Sequence, residues 1–400
     1  DKPFQVRALS PREYHGLTIS GWKGFPSLPN CMLILALKIK ISKTYQNSQS
    51  QLASTNSQHM MSKATLSSPC HTNDLVAMSF NVGVVGCGRW GTKHLETLAQ
   101  LKNQGFIDGI YACDINPNRF DGIPPSVDGV FQNWMDMHHS IELDLISIVT
   151  PNSTHLPLGV AMLQQGLNVL VEKPLGASLE EVKLLCDIAK KSTGTLHSGY
   201  LLRHQAGVKL AKKLIKDHDI GLVKSIRFTK HSSRKKPANA NVVENLASHA
   251  FAIIPSLIVS NTSPLFPVAV TLEDGKFAPL STASQAMFHM RYPGQGVISH
   301  IDVEIQVGWG ELDRNQITIE GTKQHIRLDF GKHNSIECGT QKAGYRIIPT
   351  PHPTPPLEVQ YKHILSNSQP PPESIDDHLQ TAILLDKATL LAQQWHQNNA

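Results

Sequence analysis

The chain has 400 residues, with 37 Lys and Arg, 32 Asp and Glu, and a formal charge of +5. The first 77 residues, with eight basic and three acidic side chains, carry that whole excess, so the neutral remainder offers no electrostatic footprint for nucleic acid. Six cysteines without a C-x-x-C pair or regular spacing exclude a disulfide framework and a zinc site, and point to a reducing, cytoplasmic setting.

Residues 1–77 read as a disordered or non-native leader. Between Ser42 and Asn73, 19 of 32 residues are Ser, Thr, Asn or Gln, too few large apolar groups to offset chain entropy. The apolar piece from Cys31 to Ile41 is too short to span a bilayer, so no membrane partner is expected. Met78 stands just ahead of the first strand and is a candidate natural start.

From there strand and helix patterns alternate. Strands are expected over Val82 to Gly86, Gly109 to Asp114, Leu143 to Thr150, Leu167 to Glu172 and Thr195 to Tyr200. Helices are expected over His94 to Gln104, Leu156 to Gln165 and Leu179 to Lys191. Such alternation predicts βαβ units and a parallel sheet, with ligands at the carboxyl ends of its strands, where Gly86, Asp114, Thr150 and Glu172 fall. From about Gly221 long alternating segments appear instead: Val223 to His231, Ala283 to Tyr292, Val297 to Trp309, Gln316 to Gly321 and His325 to Phe330. They predict an antiparallel sheet, one face on helices and the other against a partner or solvent. A last amphipathic helix is expected over Ile375 to Trp395.

The motif NVGVVGCGRWG places Gly86, Gly88 and Gly91 after a β-branched strand and before a helix, with Arg89 and Trp90 between them. Glycines at this spacing allow a tight turn, close approach of bare backbone to a pyrophosphate, and packing of the next helix. Asp114 closes the second strand, where a carboxylate accepts both ribose hydroxyls and repels a 2′-phosphate, which favours NAD, with NADP the alternative. The competing reading of Asp114 is a turn cap in DINPN. In IVTPNSTH, Thr150, Pro151, Asn152 and His155 are candidates to border the cofactor. Asn152 and Thr154 also qualify as helix caps, Thr154 the better of the two.

GVVGCGRWG, Asp114, IVTPNSTH, VEKPL and GYLLRH, in this order and spacing, resemble the Gfo/Idh/MocA family of sugar and polyol dehydrogenases. The resemblance runs from about Ser79 to the last helix, and VEKP is its most specific element. It implies an α/β Rossmann domain binding NAD or NADP (78–200). An α+β domain with a large open, mostly antiparallel sheet for substrate and oligomerisation follows (201–400), and the final helix can pack back on the first domain. It also implies homodimers or homotetramers through that sheet.

By the same resemblance Lys173 lies near the nicotinamide and the reacting carbinol, and Glu172 orients the site. A lysine there can stabilise alkoxide character, or can serve only the cofactor or a surface carboxylate. The family's second catalytic element, an Asp and a His four apart on a helix, falls on Asn245 and His249 of NLASH. His249 is the candidate general base, with a satisfied core histidine as the alternative. Asn245 is a departure, because an amide can hold neither charge nor proton. Glu244, next along, would face about 100° away on an α-helix, a poor substitute unless the helix begins there. Tyr200 is expected to line the pocket, and Arg203 to serve either substrate or packing. The twenty histidines form no metal-binding pattern.

The resulting expectation is an oxidoreductase for a secondary hydroxyl of a sugar, nucleotide sugar or cyclic polyol. The short stretch between Arg234 and Asn245 favours nucleotide sugars over inositols. Asn245 motivates one alternative, a cofactor-binding sensor with little turnover. Reduction of a non-sugar carbonyl is another reading open to the same fold.

Overall fold

The computed structural model describes residues 80–399 except 239, 259–264, 274–282, 311, 333, 352 and 367–372, so the reading of residues 1–77 lies outside the described residues. All the elements belong to one unit, Val76–Ala400.

Six short parallel strands form the first sheet: β1 (Asn81–Val85), β2 (Gly109–Cys113), β3 (Gly129–Phe131), β4 (Leu145–Ile148), β5 (Val169–Val171) and β6 (Leu196–Ser198), in spatial order 3-2-1-4-5-6. This is the doubly wound order, and its switch point lies between β1 and β4. Strands such as NVGVV and LISI are buried along almost their whole length because helices cover both faces. On one face, Val82, Val84 and Ile110 pack with α1 (Arg89–Asn103) and with Leu357, Tyr361 and Ile364 of the late helix α7 (Pro356–Leu365). On the other, Ile146, Ile148 and Val171 pack with α2 (Trp134–Ser140), α3 (His155–Gln164) and α4 (Leu179–Ala189). Ser178 caps α4 through the Glu181 amide, while the Glu181 carboxylate accepts from Ala177 N, fixing the loop that follows β5.

The second sheet has eight strands in the order β14-β13-β12-β11-β7-β10-β9-β8. They are β7 (Val223–Ser232), β8 (Leu265–Glu273), β9 (Gln285–Pro293), β10 (His300–Trp309), β11 (Arg314–Gly321), β12 (His325–Asp329), β13 (Ser335–Thr340) and β14 (Gly344–Pro349). All pairings are antiparallel except β7 with β10, which a crossover through α6 (Ser248–Leu257), β8 and β9 makes parallel. One face packs on α5 (Ala206–Lys216), α6 and α8 (Ile375–Asn399), through Phe228, Phe288, Ile305, Phe251 and Leu384. The opposite face carries cross-strand ion pairs, Arg227–Glu304 at 2.7 Å and Arg291–Asp302 at 3.0 Å. Helix α8 also packs against α4, with Ile375 and Leu379 joining the parallel-sheet core. Among the described residues no helix is long and apolar enough to cross a membrane.

Strands β3, β8, β13 and β14 and helices α2, α5 and α7 are additions to the sequence expectation. The three-residue β3 is too short for any periodicity to register, and β14 is exposed at most positions, so neither carries a buried stripe.

Candidate functional site

The strand register brings the motif residues to one edge. Val85 lies level with Cys113 and Ile148, and Ile148 with Val171, so Gly86, Asp114, Val149 and Glu172 all follow at the same height. Gly86 turns the chain there with φ +98°, and any side chain on it would meet the Val149 carbonyl at 2.6 Å. A side chain on Gly91 would strike the Gly86 carbonyl at 1.8 Å, so α1 can start this close to β1 only with glycine. Gly88 differs: nothing lies within 4 Å of where its Cβ would be.

The N-terminus of α1 has no side-chain cap and no acidic residue in its first turn, which leaves its first amides for an anion. Arg89 and Trp90 flank it and are exposed. Asp114 is half-buried, and its Oδ2 accepts from Cys87 N at 2.8 Å while Oδ1 accepts from Asn116 N at 2.9 Å. Asp114 thus caps its turn, and each carboxylate oxygen keeps acceptor capacity for a further donor. Asn152 Oδ1, on the loop after β4, is a buried acceptor without a partner. Open space over Gly88, free helix amides, a poised carboxylate and an orphaned acceptor along one strand edge fit a dinucleotide.

Two capping expectations fail. Helix α3 has no side-chain cap: the Thr154 hydroxyl lies 2.7 Å from the Pro151 carbonyl and 2.6 Å from Thr150 Oγ1, inside its own loop, and Asn152 caps nothing. His155 is buried with ring nitrogens 2.8 Å from the Pro174 carbonyl and 2.9 Å from the Thr150 carbonyl, so it staples the loops after β4 and β5 together.

Glu172 is held by a buried relay. Ser147 Oγ and the Tyr361 hydroxyl are 2.8 Å apart, Tyr361 meets His94 Nδ1 at 2.7 Å, and His94 Nε2 meets Glu172 Oε1 at 3.2 Å. The other carboxylate oxygen accepts from Lys173 N at 3.0 Å, so Glu172 is committed to shaping the strand end from which Lys173 projects.

Across from that end, residues Val243–Ala247 form a π-helical turn that continues into α6; Ser248 N donates to the Val243 carbonyl, five residues back. Lys173 Nζ donates to the main-chain carbonyl of Asn245 in this turn at 3.2 Å. Burial pushes the Lys173 ammonium down, while Glu172 and Glu244 push it back up. His249 is buried, and its Nδ1 has no partner. Burial, then the cations Lys230 and Lys173, hold it well below its usual range, so the ring is neutral near pH 7. The Asn245 side chain is turned along its own helix, Nδ2 donating to the Asn241 carbonyl at 3.0 Å.

Lys230 had escaped the sequence reading. Burial, Lys173 and Arg234 bring it down to about 8. The signal was available: Lys230 shares its strand parity with Ile226 and Phe228, both buried, so a lysine stands on the core-facing side of β7. His94 and Tyr361 were also missed, and a tyrosine on so late a helix carries no local signal.

Tyr200 is buried and borders a cavity of about 110 Å³ together with Pro174, Glu244 and His378. Arg203 is given over to packing: Nε donates to the Ala252 carbonyl at 2.7 Å, Nη2 to Thr381 Oγ1 at 2.8 Å, and Nη1 lies 3.6 Å from Glu373. These contacts fit the packing reading of Arg203.

Residues 80–200 match the Gfo/Idh/MocA family, an oxidoreductase family with an NAD-binding Rossmann fold. This segment of the chain belongs to that family. The chain is 24% identical to the myo-inositol 2-dehydrogenase of Thermotoga maritima over 64% of its own length and 77% of that protein. Among solved structures it superposes on levoglucosan dehydrogenase in complex with NADH and levoglucosan (TM-score 0.65, 18% identity, 80% of this chain and 98% of that one). It also superposes on the UDP-N-acetylglucosamine 3-dehydrogenase of Acidithiobacillus ferrooxidans (TM-score 0.66, 16% identity, 80% of this chain and 100% of that one). The chain is thus an oxidoreductase with the Gfo/Idh/MocA NAD-binding domain.

Proposed function

We propose that this oxidoreductase is an NAD-dependent dehydrogenase acting on a secondary hydroxyl, or the matching ketone, of a sugar, nucleotide sugar or cyclic polyol. The observation that carries the reading is the contact of Lys173 with the turn leading into His249, beside the strand edge that holds the glycine loop and Asp114. The relatives and structural neighbours include enzymes named for inositol, levoglucosan and a nucleotide sugar, which support this substrate class without choosing within it.

Gly86, Gly88, Arg89, Trp90 and Gly91 would receive the pyrophosphate, Asp114 the adenosine ribose, and Thr150, Pro151 and Asn152 the nicotinamide side. The bound dinucleotide supplies the hydride acceptor or donor. Lys173 offers an ammonium to the substrate oxygen and stabilises its alkoxide character. His249, neutral at working pH, takes the hydroxyl proton, and Nδ1 is a ring nitrogen without a protein partner. Lys230 adds positive potential at the same oxygen and keeps the histidine uncharged. Asp114 favours NAD over NADP, since a 2′-phosphate would meet its carboxylate.

The open face of the second sheet is the surface on which we place a homodimer or homotetramer, checked by sedimentation of the purified protein. Among the described residues four cysteines are free and buried, which suits a reducing compartment such as the cytoplasm. Nothing in the comparisons favours the sensor reading that Asn245 suggests.

The test is a screen of NAD reduction with UDP-sugars, inositols and simple aldoses, followed by the absorbance of the reduced nicotinamide. Turnover with one class is the expected result. Binding of NADH without turnover of any of them would overturn the enzymatic reading.

A further inference from the structure

The family pattern places an acid four residues ahead of the histidine, and this chain has Asn245 there. In an uninterrupted α-helix Glu244, five residues ahead, would face elsewhere. The turn between them is not α-helical, however: Val243–Ala247 is a π-turn closed by the five-residue bond from Ser248 N to the Val243 carbonyl. Such a turn contains one extra residue and is a common device at functional sites, so five residues here span what four span in an α-helix. The position one turn ahead of His249 is therefore Glu244 as much as Asn245.

The side chains follow the same division. The amide of Asn245 is directed back along its own helix to the Asn241 carbonyl. Asn241 anchors the turn, its Oδ1 accepting from Val243 N at 2.9 Å, and its Nδ2 donates to Glu244 Oε1 at 3.1 Å, which fixes the carboxylate. Glu244 borders the same cavity as Pro174 and Tyr200, the first of which directly follows Lys173. The Lys173 ammonium rests on the carbonyl of the adjoining residue, Asn245, at 3.2 Å.

We propose that Glu244, brought round by the π-turn, is a positioning residue: together with Glu172 it keeps Lys173 charged, in place of the acid missing at Asn245. The proposal rests on the reading of Lys173 as the lysine of the reactive centre. Four ionisable groups surround this ammonium: Glu172 at the end of β5, Glu244 on the π-turn, Lys230 on β7 and His249 on α6. Glu172 is already bound to His94 and to the Lys173 amide, whereas Glu244 has one protein donor, Asn241. The two acids favour the charged lysine, Glu172 the more, and Lys173 in turn lowers Lys230. On Glu244 itself, burial raises the carboxyl, while Asn241 and Lys173 lower it.

The test is a direct titration of Lys173 in the intact chain without dinucleotide or substrate, by NMR of lysines labelled at Cε, the resonance being identified by its loss in Lys173→Met. Removing a neighbouring negative charge lowers an ammonium's pKa, so Glu244→Gln should move the Lys173 titration to lower pH by about one pH unit. Glu244→Asp, which keeps the charge, should recover at least half of that shift. Asn245→Ala should leave it in place, since Lys173 bonds to the main chain there. An unchanged Lys173 titration in Glu244→Gln, or an equal shift in Asn245→Ala, overturns the proposal. If Glu244→Gln does not fold, Glu244→Ala takes its place with the same two outcomes: a Lys173 titration moved to lower pH supports the proposal, and an unmoved one overturns it. Because no turnover is measured, failure here is distinct from failure to find a sugar substrate.

Discussion

Lys173 Nζ donates to the main-chain carbonyl of Asn245 at 3.2 Å, tying the end of the fifth parallel strand to the widened turn that precedes His249. Two segments 72 residues apart in sequence are thereby set at one point, with the Lys173 ammonium bonded to backbone.

Replacement of Lys173 by Met should reduce kcat by roughly a hundred- to a thousand-fold, the usual loss when one donor to a developing oxyanion is removed. Binding of NADH should change little, because the proposed site gives the other end of the cofactor to the glycine loop and Asp114. Steady-state rates and a parallel binding titration separate the two; equal losses in both would assign Lys173 to the cofactor alone.

The acid limb of kcat/KM should lie below pH 6.5. Burial first, then Lys230 and Lys173, depress His249, so the ring remains an acceptor as pH falls past the usual histidine range. Removing one of those cations raises the histidine's pKa, and Lys230→Met should move the acid limb to higher pH. A pH–rate profile of the two proteins checks the direction, and a limb displaced to lower pH would contradict it.

Gly88 and Gly91 should separate by mechanism. Gly91→Ala forces a Cβ against the Gly86 carbonyl and should destabilise the fold by at least about 2 kcal/mol. Gly88→Ala meets nothing within 4 Å, so the melting curve should be nearly unchanged while affinity for NADH falls at least tenfold, by roughly 1.4 kcal/mol or more. Thermal melts and titrations of both variants decide this.

The sequence reading reached the parallel sheet because its cues are local: a valine-rich strand, glycines at fixed offsets, and an acid ending the next strand. The register from Val85 to Cys113 and Ile148 put those cues on one edge as expected. The second half was legible only as alternation. Its one parallel pairing, β7 with β10, depends on a crossover that no local signal encodes. In the site, the facing of Glu244 was not legible because the 100° spacing assumes an α-helix, and nothing in VENLA announces a π-turn. Thr154 looked like a cap by residue type, yet its hydroxyl had nearer partners in Pro151 and Thr150.

Arg203→Ala should act on stability. It removes the guanidinium that lies 3.6 Å from the buried Glu373 carboxylate and bonds Ala252 and Thr381, and loss of one member of a buried pair typically costs about 3–5 kcal/mol. Urea denaturation should register that loss. A variant of full stability with a raised KM would return Arg203 to the substrate site.

The most direct measurement is calorimetric titration of NADH and NADPH into the purified protein and into its Asp114→Ala variant. A dinucleotide gripped along the edge from Gly88 through Asp114 to Lys173 predicts one NADH per chain, weaker binding of NADPH, and a narrowed gap between the two once Asp114 is gone. Absence of heat with either nucleotide, or an unaltered preference in Asp114→Ala, would contradict the account.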